Sequence, residues 1–261
     1  MALFTDGAAT DLEGLLAYDS TVLEMARQEG VDLGVKLKLA WEELGIELTR
    51  FLVVAGKGDL GLRNISVTAP LEKCHAFRSL ALAYSDAAHR QRNDRYRERA
   101  KEWERQAAWA WEALLDTGVG IVERPVEKAS MPAVELVELR ASAATYWVRI
   151  AWISSSGSEG AASEASMVSA SENQGLLVTA RGAPEVAVGW NVYVGYAADK
   201  CGRQNVQPLR VGESWRQPAG DLAEGLPPGV GQSPDYYLRR GGMSSRGGGH
   251  GLDAPGLLLR G

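Results

Sequence analysis

Two cysteines in 261 residues, Cys74 and Cys201, exclude a disulfide framework. They lie far apart, are expected in different domains, and fit a reducing compartment. Histidines are as few: His75, His89 and His250 show no metal-ligand spacing to cysteine or carboxylate. His75 and Cys74 are neighbours on an expected helix, so their side chains diverge, and a packed or surface histidine is the plainer reading. No apolar run is long enough to span a membrane. The opening stretch MALFTDGAATDLEG lacks the basic segment and long apolar core of a secretory signal, so a cytosolic protein is expected. Charge of one sign is also missing. Lys and Arg number 28 against 33 Asp and Glu, a net −5, which gives no global pull toward nucleic acid or an acidic membrane. Catalytic motifs are scarce. GKGDLG, with Gly56, Gly58 and Gly61, matches G-x-G-x-x-G but follows a helical pattern rather than a strand, so it reads as a loop. No serine sits in a G-x-S-x-G elbow. Neither an enzyme nor a cofactor is expected.

What is present falls into two halves. Residues 10–18 read as a short helix. A second helix runs to about Gln28, with Asp19 and Ser20 as N-cap candidates, a Thr21–Glu24 capping box, and a stop at Gly30. Asp32 opens a third that reaches Phe51 or beyond, with Leu37, Trp41, Leu44, Leu48 and Phe51 along one side. NISVTAP reads as a short strand, and VGIVERPV is a candidate to pair with it. Pro70 suits the first turn of a fourth helix ending near Gln91. The longest helix is expected over Asp94–Asp116, with Asp94 as N-cap and Gly118 as stop. Tyr96, Ala100, Trp103, Ala107, Ala110 and Leu114 form its buried stripe. Trp109 lies about 140° from the middle of that stripe at 100° per residue, so it faces something other than the same core.

After Pro125 the helical period disappears. VEKASMP reads as a linker. VELVELRA, TYWVRIAWIS, ASMVSAS, GLLVTAR, GWNVYVGY and QPLRVGESW read as short strands separated by Gly, Ser, Asn and Pro. The expectation is a multidomain α and β chain. It comprises a helical bundle (1–125), a linker (126–132), an all-β immunoglobulin/fibronectin-like sandwich (133–232), and a Gly-rich extended tail (233–261) that orders only on binding.

The long helix begins in a basic-rich segment, with Arg90, Arg92, Arg95 and Arg99 interleaved with acids. A solvated charged face accounts for it; contact with a partner ring or with DNA phosphates is the functional alternative. Trp111 is read as core. Trp109, with Ala108 and Leu115, is the candidate subunit interface, since Trp so often anchors interfaces.

Two stretches carry a family resemblance. YDSTVLEMARQEGVDLGVKLKLAWEELGIEL, VTAPLEKCHAFRSLALAYSDAAHRQRNDRY and KEWERQAAWAWEALLDTGVGIV together resemble the helical head–tail connector (adaptor) proteins of tailed bacteriophages. TYWVRIAWISSSGSEGAASEAS with GWNVYVG is similar to fibronectin type III-like modules of phage structural proteins, although the order of these motifs is offset from the usual module. The first resemblance implies a ring, a dodecamer, docked beneath the portal protein. It would meet a tail or tail-completion protein and pass packaged double-stranded DNA without sequence specificity. It also implies a site in the virion neck, assembly in the host cytoplasm, and no membrane contact. The C-terminal tail would reach the portal through two short anchors, Tyr236, Tyr237, Leu238, Arg239 and Arg240, then Leu257, Leu258, Leu259 and Arg260. Another neck or tail-completion protein is the nearest alternative. A carbohydrate- or surface-binding module with Trp147, Trp152, Trp190 and Trp215 as its platform is the alternative from a different class.

Overall fold

The computed structural model describes residues 1–90 and 95–244. Its helices are α1 (Leu12–Tyr18), α2 (Val22–Glu29), α3 (Leu33–Val54), α4 (Ala69–Arg90) and α5 (Arg97–Thr117). The Asp11 and Asp32 carboxylates accept backbone N–H bonds from Gly14 (2.9 Å) and Val35 (3.1 Å), capping α1 and α3. The expected Thr21–Glu24 box does not form. The Thr21 hydroxyl donates instead to Asp19 (2.7 Å), and Glu24 accepts from Gln28 (2.9 Å). The long helix starts at Arg97, later than expected; Asp94 lies outside the described residues. Tyr96 precedes it, buried against Tyr84 with ring centroids 6.0 Å apart.

α4 is the centre of the helical region. Its buried residues Leu71, Cys74, Phe77, Leu80 and Tyr84 share one core with Leu44 and Leu48 of α3 and Trp103 and Leu114 of α5. An ion pair fixes α3 on α4: Arg78 donates to both oxygens of Glu47 at 3.0 Å.

The strands are β1 (Ile65–Ser66), β2 (Val119–Ile121), β3 (Ala133–Glu138), β4 (Ala144–Ser154), β5 (Ser166–Ala170) and β6 (Gln174–Thr179). They continue with β7 (Ala187–Gly195), β8 (Gly202–Arg203), β9 (Leu209–Arg210), β10 (Ser214–Arg216), β11 (Tyr236–Arg239) and β12 (Gly242–Ser244). β1 and β2 pair antiparallel with Ile65 opposite Ile121, the pairing expected from NISV and VGIV.

The expected immunoglobulin/fibronectin-like sandwich is corrected. Strands β3–β10 form two open sheets, a three-stranded β10–β6–β3 and a five-stranded β5–β4–β7–β8 with β9 also on β7. Neither closes on itself, and no closed immunoglobulin- or fibronectin-type barrel is found among the described residues. The physical reason lies after Gly195. There Gly and Pro recur too often to sustain strands, and β8, β9 and β10 are only two or three residues long. Both sheets contribute to one core that includes Tyr146, Val148, Trp152, Leu176, Trp190 and Trp215.

The tail is corrected as well. Residues 236–239 are not an independent extended segment but the third strand of the helical region's sheet, in the order β1–β2–β11–β12. Tyr236 and Leu238 are buried in the helical core and lie opposite Ile121 and Val119. The helical region is therefore built from both ends of the chain. Residues 126–231 leave it and return at nearly the same place. There Val126 N–H donates to Gln232 Oε1 (2.6 Å), and Gln232 Nε2 donates to the Arg124 carbonyl (3.2 Å). The segment expected as a linker is anchored too. Val126 and Ala129 are buried, and Lys128 N–H donates to Asp6 Oδ1 (3.0 Å).

Candidate functional site

α5 packs its buried stripe on α4, and Trp109 projects from the other side with 55% of its surface exposed. It is not isolated. The Lys73 ammonium of α4 sits 5.5 Å from the Trp109 ring centroid and 5.8 Å from that of Phe77. Phe77 in turn meets exposed Tyr18 edge-on, ring centroids 5.0 Å apart. Beside Trp109 lies a depression of about 360 Å³ lined by Tyr18, Pro70, Glu72, Lys73 and Ala113. An apolar ring beside a half-buried cation is a surface suited to another protein. Of the other two candidate interface residues, Ala108 is exposed. Leu115 is core, and its carbonyl accepts the Arg240 N–H (3.1 Å). Trp111 is half-buried against the core, as expected.

A second apolar surface was not anticipated. On α3, Ile46, Val53 and Val54 are 71%, 62% and 79% exposed. With Phe4, Trp41 and Leu62 they line an almost wholly apolar depression of about 730 Å³, and Glu42 and Arg50 stand at its rim. The signal was available. Ile46 lies two residues from both Leu44 and Leu48, about 200° round the helix, and so is at least as far off its stripe as Trp109 is off its own.

The two candidate arginines whose side chains are described, Arg95 and Arg99, differ in what they contact. Arg99 reaches back to the buried Asp19 carboxylate at 3.1 Å, and its guanidinium lies 5.5 Å from the Trp103 ring centroid. It is a structural residue. Burial would raise the Asp19 pKa, but hydrogen bonds from Thr21, Tyr84 and Arg99 together hold the carboxyl below its usual range. Arg95 is exposed, with its guanidinium 5.2 Å from the Tyr96 ring centroid. Arg90 closes α4; its side chain and all of Arg92 lie outside the described residues.

The first tail anchor is spent on the chain's own fold. Tyr236 and Leu238 are buried, Arg239 donates to the Thr117 carbonyl (3.1 Å), and Arg240 pairs with Glu112 (2.6 Å). Leu257, Leu258, Leu259 and Arg260 lie outside the described residues.

No group of three or more His, Cys, Asp or Glu positioned to hold a metal ion occurs among the described residues. His75 is buried: its Nδ1 accepts the Thr10 N–H (3.2 Å), so Nε2 carries the proton and donates to the Leu37 carbonyl (2.9 Å). Cys74 is a free, buried thiol pushed up to about 12, chiefly by burial. The G-x-G-x-x-G segment is the loop after α3. Trp152, Trp190 and Trp215 are buried in the β region, which removes three of the four members of the proposed aromatic platform. Glu159, whose carboxylate accepts the Tyr193 hydroxyl (2.7 Å) and Asn191 Nδ2 (2.6 Å), ties the 154–166 loop to β7. Among the described residues the chain presents two exposed apolar surfaces, one around Trp109 and one on α3. Comparison with protein-family models, with curated proteins and with solved structures finds no match to this chain.

Proposed function

We propose that this chain is a structural protein of the tailed-bacteriophage neck. It forms a ring beneath the portal, joins head to tail and continues the DNA conduit, without catalysis or a cofactor. The observation that carries the reading is Trp109: a large apolar side chain 55% exposed on the outer side of a helix whose inner side is fully committed to the core. A solvent-facing indole next to Lys73 is costly to leave bare and is accounted for by a neighbouring subunit. In this proposal the ring assembles in the host cytoplasm. Its contact with DNA runs through the exposed Arg95 and the adjoining basic segment rather than through Arg99. Attachment to the portal falls to residues beyond 244, with Leu257–Leu259 and Arg260 as the anchor, because the first anchor is folded into β11. The test is the assembly state of the purified full chain by analytical ultracentrifugation and negative-stain microscopy. Closed rings that bind purified portal are expected. A chain that stays monomeric at about 100 μM and ignores portal sinks the proposal. No observation favours the carbohydrate-binding alternative over this one.

A further inference from the structure

We infer that the ring contact is heterologous, a knob on one copy of this chain seated in a hole on the next: Trp109 of one subunit enters the α3 depression formed by Phe4, Trp41, Ile46, Val53 and Val54 of its neighbour. The inference deepens the ring reading and rests on it. Three observations support it. The first is that the two surfaces differ in shape. Trp109 is a single exposed ring beside a narrow depression of its own, whereas the α3 surface is a broad, shallow apolar depression that an indole can lie against. A self-complementary contact would pair like with like; knob and hole are the two halves of a head-to-tail contact.

The second observation is placement. Trp111 lines the groove beside Phe51 and Val54 of α3, and Trp109 is two residues away, about 200° round α5. On α4 the same division recurs. Lys73 faces Trp109 and Arg78 faces Glu47 of α3, about 140° apart around the axis. The knob and the hole therefore sit on opposite flanks of one bundle. One copy can engage two neighbours at once, as a ring requires.

The third is charge. Lys73 and Glu72 flank the knob, and Glu42 and Arg50 flank the hole. Each lining brings one acid and one base, and the pairing of Glu42 with Lys38 is long (3.9 Å) and exposed, so Lys73 can meet Glu42 and Glu72 can meet Arg50 across the contact. Such pairs set the register and suppress wrong partners.

The test uses two full-length variants, Trp109→Asp and Ile46→Asp. Both positions are exposed, so both proteins should keep the helical circular dichroism of the wild type. Each variant alone should self-associate about thirtyfold more weakly or worse, as for a hot-spot residue. Mixed in equal amounts they should form a discrete one-to-one dimer by light scattering. The intact Trp109 of the Ile46→Asp chain fits the intact hole of the Trp109→Asp chain, and the other two surfaces are both spoiled. A mixture that remains monomeric overturns the inference. So does an Ile46→Asp chain that still forms rings; the depression then holds another occupant, residues 257–260 or a portal segment, while the ring reading stands. If the mixed dimer forms but the wild type gives only open polymers, the contact is right and the ring is wrong. A wild type that stays monomeric removes both.

Discussion

At the scale of single residues, His75 makes a direct prediction about pH. Its ring is buried, with one nitrogen accepting from Thr10 and the other donating to Leu37, a pairing complete only for the neutral form. Burial holds its pKa below the ordinary 6.5 against the opposing pull of the Leu37 carbonyl. The unfolded chain therefore takes a proton that the folded chain declines. Stability contributed by neutral His75 is full above about pH 6.5 and is lost progressively as pH falls from there. Urea unfolding at a series of pH values between 7.5 and about 5 should show that decline. His75→Gln, which can still accept once and donate once, should flatten it. A decline of equal slope in the variant would assign the effect elsewhere. Asp19 tests a second residue-scale claim. Arg99→Gln removes one of four donors to a buried carboxylate. Because Arg99 is itself half exposed, the expected loss is about 1 kcal/mol, measured by the same unfolding assay. An unaffected stability would return Arg99 to the free surface and reopen it as a DNA contact.

At the scale of elements, the instructive case is β11 on β2. Gly118 ends α5 at φ 108°, and a Cβ there would stand 2.8 Å from the Tyr237 Cβ. Gly120, one turn of the pleat further, has Pro234 Cγ 2.7 Å from where its Cβ would be. The two glycines let the returning strand lie flat against β2. Gly118→Ala should therefore cost about 1–3 kcal/mol, from backbone strain together with displacement of β11, and unfolding titrations would reveal it. A neutral substitution would mean that β11 is not seated there in solution. The three long helices were legible because each repeats an apolar stripe over many turns, as in Leu37 through Phe51 or Tyr96 through Leu114. The α3 depression was hidden by the same stripe, since residues off it are read as surface unless each is asked what it faces. β11 was hidden by its length. Tyr236 and Leu238 inward with Tyr237 and Arg239 outward is a period of two, but it lasts four residues inside a Gly-rich stretch, too few to outweigh composition. Its partner β2, buried along all three residues, could not announce that it needed strands on both sides.

For the whole molecule, the two ends of the β region meet at Gln232, and this changes what truncation should do. A chain ending near Glu127 loses β11, the burial of Tyr236 and Leu238, and the Arg240–Glu112 pair. It should be markedly less stable than the full protein. Excising 127–230 and bridging the gap with about four Gly and Ser residues should do far less harm, because Val126 and Gln232 already touch. The two proteins compared by thermal unfolding decide the matter; equal stability would show that β11 adds nothing to the helical region. The clamp at Gln232 also sets an order in time. As the chain leaves the ribosome, all five helices emerge well before the strand that completes their sheet, and more than 100 residues of β structure come between. The helical region cannot reach its final stability until β11 has been made, whereas residues 126–231 are complete earlier and can fold first. A prematurely terminated product thus carries Trp109 and the α3 depression on a bundle that lacks its third sheet strand. The join at Gln232 makes synthesis as far as β11 a condition for a stable helical region, and it keeps copies cut short before that strand at a disadvantage.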